Sequence, residues 1–355
     1  MKESPISNIV LLVAWSLKGE QFWLEKELKD LGFTVTTLDI PNFNPKNRVI
    51  KRREILLWIE HLKLAWRGVK TARQTEGVIV AHYFLVGVLA SLLSAPRSSK
   101  NRLPVIALNM IARNKGTVNQ ILRRLVYQTG FSSNQLLLTV NSPELREQYL
   151  KTFDIRNENI FVLRDCWWPE LLEVSSPNLN DHEFVFSGGE AARDWDTLLS
   201  VAAACPEIHF KVVARRMTWA PKREVTSNVE VLFDTSEEEF YSLAASSRLV
   251  ILPLIGTVTA GLIVLIKSIF FGKMVITTDT PATTPYYPND CSELLVSEAD
   301  VETMISKLKY YWINTEERNQ KAIKVQNYVL NYFSPKAYAQ QVSHLIEKQK
   351  TFSTR

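Results

Sequence analysis

Two stretches in the second half of the chain carry the residue types that bind a polyanion. In the first, Ser187-Gly188-Gly189 is followed by Arg193, and Arg215-Arg216 close the run HFKVVARR. In the second, Gly256-Thr-Val-Thr-Ala-Gly261 opens an apolar segment that ends at Gly272. Glycine lets backbone amides approach a ligand closely, and arginine binds phosphate oxygens bidentately. A helix that starts on small residues adds unpaired N–H groups and the positive end of its dipole. The chemistry these residues suit is recognition of a diphosphate. The expected anion-binding set is Ser187, Gly188, Gly189, Arg193, Arg215, Arg216, Thr259, Ala260 and Gly261. Neither glycine pattern is GxGxxG or GxxxxGK[ST], so a dinucleotide fingerprint and a P-loop are both rejected. An ordinary buried crossover, with these residues only structural, explains the second stretch equally well on pattern alone. For Arg193 the competing reading is a surface arginine paired with Asp194 or Asp196.

These residues depend on the strands and helices that place them. Leu249 to Leu252 is an apolar run stopped by Pro253. Leu262 to Phe271 follows the small-residue loop, and Val275 to Thr277 closes on Asp279. Strand, loop, helix, glycine stop and strand make one βαβ unit of a parallel sheet. Its helix is apolar on nearly every face and is expected to be buried. Further strands are expected at Glu183 to Phe186, His209 to Ala214 and Val229 to Phe233, with helices at Asp194 to Ala204 and Ser236 to Ala245. In the first half, strands are expected at Asn8 to Trp15, Phe33 to Ile40, Gly77 to His82, Pro104 to Met110, Gln135 to Asn141 and Ile160 to Leu163. Helices fall at Gln21 to Asp30, Phe84 to Leu93 and Thr117 to Tyr127. Another begins at Ser142-Pro143, an N-cap followed by proline, and ends near Phe153. Ligands of doubly wound sheets sit outside the carboxyl ends of the strands, which puts Lys18, Gly19 and Glu20 at a cleft.

At 355 residues two domains are expected. The division read from the pattern is 1–164, a linker at 165–181 rich in proline and serine, a second domain at 182–332, and a last helix at 333–355 that packs back on the first domain. The fold class is α/β, with two Rossmann-like doubly wound domains facing across a cleft. A hydrophobic content of 46% and a net charge of +5 describe a globular, mildly basic chain. That charge suits a phosphate-bearing ligand or an anionic membrane surface, and it argues against a nucleic-acid-coating protein. Asn44 to Arg73 reads as a basic helix with Trp58, Trp66 and leucines on its other face. Such a helix lies on an anionic membrane or is a solvated helix with its tryptophans inward. No apolar stretch reaches about 18 residues, so no membrane span is expected. The apolar run in MKESPISNIVLLVAW is short for a signal peptide and reads as a first buried strand. Cys166, Cys205 and Cys291 form no CxxC pair and no metal spacing, which points to a reducing compartment and no structural disulfide.

The runs FVFSGGEAARDWDTLLSVAAACPEIHFKVVARR and TAGLIVLIKSIFFGKMVITTDTPATTPYY resemble the donor-binding domain of family 4 glycosyltransferases of the GT-B fold. The likeness covers most of the second half. In the first half it rests on topology and on TVNSPELREQYLKTF. It implies transfer of a sugar from a nucleotide-sugar donor, with retention, to a glycan or lipid-linked acceptor. It also implies no metal or other cofactor, no nucleic acid, and a cytoplasmic location that includes the inner face of the membrane. On this resemblance Gly188, Gly189 and Arg193 meet the donor diphosphate, and Thr259, Ala260 and Gly261 meet the distal phosphate and sugar. Gly272, Lys273 and Asp279 match positions that are largely structural. Lys18, Gly19 and Glu20 fall on the acceptor side. The chain departs from the family at Glu190, where an arginine is usual, and at Thr259 and Lys267, where a pair of acidic residues is usual. Asn109 ends the strand on which the family often carries a histidine, and His82 ends the preceding strand. His82, Asn109 and Lys267 are the resulting catalytic candidates. Lys267 either aims its charge at the donor phosphates or a carboxylated sugar, or pairs with a nearby carboxylate. The first is our expectation. A nucleotide-binding protein without transfer and a nucleotide-sugar epimerase remain alternatives.

Overall fold

The structure is a computed structural model. It describes residues 8–41, 52–94, 103–111, 126–131, 133, 135–167, 183–256 and 261–353. The first part of the expected basic helix, most of the helix at 117–127, most of the linker, and Thr259 and Ala260 lie outside the described residues.

The chain divides into two compact units. One comprises Met1–Arg164 with Pro335–Arg355, and the other Asp165–Ser334. Each contains a six-stranded sheet. In the first unit the strands are β1 (Asn8–Val13), β2 (Thr34–Asp39), β3 (Val78–Ala81), β4 (Val105–Ala107), β5 (Leu136–Val140) and β6 (Ile160–Val162), in the order β2-β1-β3-β4-β5-β6. In the second they are β7 (Phe184–Gly189), β8 (His209–Ala214), β9 (Val229–Phe233), β10 (Leu249–Leu252), β11 (Val275–Thr278) and β12 (Leu295–Val296), in the order β12-β11-β10-β7-β8-β9. All the pairings are parallel. β1, β3, β5 and β10 are almost wholly buried and read as unbroken apolar runs, as strands covered on both faces must.

The sheet order fixes where a ligand can enter. It reverses between β1 and β3, which pair Ile9 with Val78 and Leu12 with Ala81. It reverses again between β7 and β10, which pair Val185 with Leu249 and Phe186 with Val250. At such a reversal the two crossovers leave on opposite sides and open a crevice beyond the carboxyl ends of the strands. Residues 14–22 and His82 follow the first pair. Residues 190–194 and 253–256 follow the second.

Besides the helical residues 126–131, the first unit contains the helices α1 (Trp23–Asp30), α2 (Arg52–Thr75), α3 (Phe84–Ser94), α4 (Pro143–Thr152) and α10 (Pro335–Ser353). Those of the second are α5 (Trp195–Ala203), α6 (Glu237–Ser246), α7 (Leu262–Phe270), α8 (Val301–Ile313) and α9 (Thr315–Tyr332). Their starts are set by side-chain caps. Ser142, Asp194, Ser236 and Asp300 accept from the amides of Leu145, Thr197, Glu239 and Thr303 at 2.9–3.2 Å. Each such cap stabilises its helix by about 1 kcal/mol. Helix α7 opens on Gly261, which is left-handed at φ 92°, and buries Leu262, Val264, Leu265, Ile266 and Ile269. Helix α10 packs on α1, where the rings of Tyr338 and Trp23 meet edge to face at 5.5 Å.

Helix α2 corrects one expectation. Its inward face carries Leu64, Ala65, Val69 and Ala72, while Trp66 stands in solvent on the same outward face as Lys70 and Arg73. The tryptophans do not share a side, because Trp58 is partly buried against the core. Among the described residues no helix is long and apolar enough to cross a membrane.

Candidate functional site

In the second unit, Arg193 stands at the crevice between β7 and β10. The backbone around it is pinned. Asp194 N donates to the carbonyl of Pro253 at 3.0 Å and Ile255 N to that of Ala192 at 3.0 Å, so residues 192–194 run antiparallel to residues 253–255. The Arg193 side chain is 7% exposed. Its Nε donates to the Gly188 carbonyl at 2.7 Å and one terminal nitrogen to the Ala191 carbonyl at 2.9 Å. Both acceptors are neutral. Among the described residues no carboxylate pairs with Arg193, and burial lowers its pKa to about 10. The guanidinium therefore remains charged at neutral pH with part of its hydration lost and no anion beside it, which is the condition under which an incoming anion gains most.

Two glycines leave room for that group. A Cβ on Gly189, which sits at φ 125°, would lie 2.1 Å from a terminal nitrogen of Arg193. A Cβ on Gly261 would lie 3.1 Å from the other and 2.9 Å from Leu254 Cδ2. The guanidinium is thus packed between two left-handed glycines, at the edge of the loop that leads into α7. Neither neighbouring aspartate pairs with it. Asp194 caps α5 and also accepts from the Thr197 hydroxyl at 2.7 Å, while Asp196 accepts from the amides of Lys222 and Arg223 at 2.7 and 3.2 Å.

The remaining candidates of this unit differ in how far they are committed elsewhere. Ser187 is fully buried within β7. Gly188 faces the ring of Phe240, which a Cβ would meet at 2.7 Å. Arg215 follows β8 beside Gly189, whose strand partner is Ala214, and forms an ion pair with Glu190. Glu190 thus holds a second arginine at the rim. Arg216 lies 4.5 Å from the centroid of the Phe233 ring. Thr259 and Ala260 are among the residues that are not described.

Lys267 corrects our expectation. Its ammonium group hydrogen-bonds the Tyr241 hydroxyl, lies 3.6 Å from the centroid of that ring, and pairs with Glu237 at 3.5 Å. Both partners belong to α6, and burial together with Glu237 raises the Tyr241 pKa. The physical reason is position. Lys267 falls in the last turn of α7, roughly 9 Å along the axis from Gly261 at 1.5 Å per residue. Sequence reasoning also missed Glu298, whose carboxylate accepts from the Gly256 amide at 3.1 Å at the entrance to the same loop. Nothing local in the sequence connects a residue after β12 to that loop.

In the first unit the crevice is lined with rings. His82 follows β3, and its amide donates to the Leu12 carbonyl at 2.9 Å. Its imidazole meets Trp15 at 5.1 Å and Phe22 at 5.0 Å, both edge to face, with Trp23 at 6.4 Å. These rings strip water from the imidazole and lower its pKa to about 4, so it is neutral at physiological pH. Asn109 follows β4 in the left-handed region at φ 55°. Its amide donates to the Thr139 hydroxyl at 3.0 Å, and its side-chain oxygen accepts from the Tyr338 hydroxyl at 3.5 Å. The loop after β1 turns sharply at Lys18 and Gly19, at φ 52° and 86°. Glu20 N closes the turn on the Leu17 carbonyl at 2.9 Å, and Asp39 accepts from the Leu17 amide at 2.8 Å. Lys18, Gly19 and Glu20 are all exposed. Trp15, Phe22, Trp23 and Tyr338 were not singled out from the sequence. For Trp15, Phe22 and Trp23 the signal was aromatic residues between the end of a strand and the start of the next helix; Tyr338, in α10, carried none.

No protein-family model matches the chain, and no curated protein matches it by sequence. Solved structures match it by shape. Sucrose-phosphate synthase from Thermosynechococcus elongatus is 13% identical over 97% of this chain and 99% of its own, with a TM-score of 0.66. HepE from Anabaena, solved with UDP and glucose, is 14% identical over 96% and 100%, with a TM-score of 0.60. WaaG, a glycosyltransferase involved in lipopolysaccharide biosynthesis, is 14% identical over 95% and 99%, with a TM-score of 0.58. At these identities the likeness is one of fold. Two six-stranded parallel sheets with flanking helices make this chain an α/β protein with the GT-B fold of those glycosyltransferases.

Proposed function

We propose that the chain is a glycosyltransferase that takes a sugar from a nucleotide-sugar donor and passes it, with retention, to a glycan or lipid-linked acceptor. One observation carries this reading: a buried guanidinium, Arg193, whose partners among the described residues are neutral and which is packed between two left-handed glycines at the reversal of a parallel sheet. The fold supports it, and HepE was solved with UDP bound. In this reading Arg193 and the amides that open α7 receive the donor diphosphate, with Arg215 assisting at the rim. As the bond from the anomeric carbon to the phosphate oxygen breaks, negative charge grows on the nucleoside diphosphate, and a fixed cation in a water-poor corner stabilises it. The acceptor oxygen bonds to the anomeric carbon, and its proton leaves with the diphosphate. Arg193 supplies the positive charge, so the reading calls for no metal.

The first unit takes the acceptor side, through Lys18, Gly19 and Glu20. His82 and Asn109 are assigned hydroxyl contacts. A neutral imidazole donates from one nitrogen and accepts at the other, which suits a sugar hydroxyl. Lys267 is assigned a structural role between α6 and α7. The free, buried cysteines fit a reducing compartment such as the cytoplasm.

The test is a panel of nucleotide sugars, read by thermal shift and by release of nucleoside diphosphate. Release in the presence of a glycan or lipid-linked acceptor supports transfer. Binding without release leaves a nucleotide-sugar-binding protein, and an altered sugar on an intact nucleotide makes it an epimerase.

A further inference from the structure

The outward face of α2 has the wrong chemistry for a solvated helix. A surface helix ordinarily turns its charged side to water. Here the outward side carries Leu56, Ile59, Leu62 and Trp66, which are 60%, 43%, 46% and 57% exposed, although α2 already buries Leu64, Ala65, Val69 and Ala72 on its inner side. The four apolar residues recur at intervals of three and four, so they form a single stripe along the helix. The stripe runs into cations. Lys63, Arg67, Lys70 and Arg73 are exposed on the same side, and the one acidic side chain among them in the described residues, Glu60, is paired with Lys63 at 2.8 Å.

At the basic end lies a cavity of about 340 Å³ between α2 and α3, lined by Trp66, Val69, Lys70, Arg73, Gln74 and Leu93. Lys70 Nζ stands 5.7 Å from the centroid of the Trp66 ring, and neither Lys70 nor Arg73 forms an ion pair among the described residues. A notch with an indole wall and two uncompensated cations, continuous with an apolar stripe, matches the boundary of an anionic bilayer. Indole and aliphatic groups enter the acyl edge while cations meet phosphate.

We propose that this face seats the protein on an anionic lipid surface, with Leu56, Ile59, Leu62 and Trp66 entering the interface and Lys70 and Arg73 holding a lipid phosphate at the notch. The charge of the face selects an anionic bilayer as its occupant. The proposal does not depend on the transfer reaction and stands if that reading fails.

Sedimentation of the full chain with vesicles tests it, using phosphatidylcholine alone and phosphatidylcholine mixed with an equal part of phosphatidylglycerol. The chain should pellet with the mixed vesicles, stay largely in solution with the neutral ones, and lose binding as salt rises. A basic side chain near an anionic surface contributes about a fivefold factor in partition, so Lys70→Gln with Arg73→Gln should lower it by about 25-fold. Leu56→Ser with Trp66→Ser should lower it at every salt concentration. All four positions are exposed, and unchanged circular dichroism would show that these variants fold. Equal binding to both vesicle types, no binding to either, or a salt-stable dimer broken by the Leu56→Ser/Trp66→Ser variant would overturn the proposal.

Discussion

Both units offer a crevice where their sheet order reverses, yet the two crevices have opposite chemistry. In the second unit the crevice is cationic and built mainly from backbone. Arg193 is held by the carbonyls of Gly188 and Ala191 and shielded by Gly189 and Gly261. In the first it is ring-lined, with the neutral His82 among Trp15, Phe22 and Trp23 and the charged side chains of Lys18 and Glu20 out in solvent. A fixed charge beside flexible glycines suits a small, highly charged group. A wall of rings with a neutral imidazole suits a larger ligand of hydroxyls and apolar faces. The two sheets share an architecture, and the difference arises in the loops after their strands, which is where α/β folds vary their chemistry.

The largest effect should come from closing the cationic crevice. Gly189→Ala places a Cβ against the Arg193 guanidinium and forces a side chain into a positive-φ conformation. The variant should lose about 2–4 kcal/mol of stability and bind nucleoside diphosphate at least ~100-fold more weakly. Denaturant melts and calorimetry measure both. Near wild-type affinity would mean that the guanidinium is not part of the site.

The ring-lined crevice is tested through pH. His82 has a folded pKa of about 4, below its ordinary value near 6.5. The unfolded chain therefore takes up the proton first as pH falls. The contribution of His82 to stability is complete above about pH 6.5 and declines towards pH 4, by about 1–3 kcal/mol in all. In His82→Gln that part of the decline should disappear. Parallel melting curves for the two proteins between pH 7 and 4 would show that the imidazole is already solvated.

Smaller effects separate the site from its scaffold. Lys267→Met breaks the contact with Glu237 and Tyr241 and should cost about 1–2 kcal/mol of stability while leaving nucleotide affinity unchanged. A shifted donor profile in this variant would return Lys267 to the site. Arg215 is 66% exposed and already paired with Glu190. Arg215→Ala should change nucleotide affinity by no more than about threefold, as a rim charge does.

All the strands but β12 were legible, because parallel strands covered on two faces leave apolar runs that glycine and proline punctuate; the two-residue β12 leaves no such run. Ser142, Asp194, Ser236 and Asp300 announce their helices through local hydrogen bonds. The stretch from Pro281 to Leu294 was not legible. Its prolines and tyrosines have no period, and it folds as short 3-10 turns at Thr284–Tyr286 and Asn289–Leu294. The placement of Arg193 beside the glycines of β7 could be read from spacing, since both lie within one strand-to-helix turn. The partners of Lys267, the tether from Glu298 to Gly256 and the rings around His82 could not. Each joins residues from separate elements, and only the folded sheet brings them together. On α2 the helical period was visible, but which tryptophan faced inward depended on the contacts of α3 and β1.

If Arg193 is the cation of a diphosphate site, titration calorimetry of UDP, GDP and ADP into wild-type protein, Arg193→Lys and Arg193→Ala will show it. The wild type should bind at least one of these nucleotides. Arg193→Ala should lose about 1.5–3 kcal/mol of binding, the scale of a hydrogen bond to a charged group, and Arg193→Lys should recover part of it. Equal affinity in wild type and Arg193→Ala, with both proteins folded, would contradict that role.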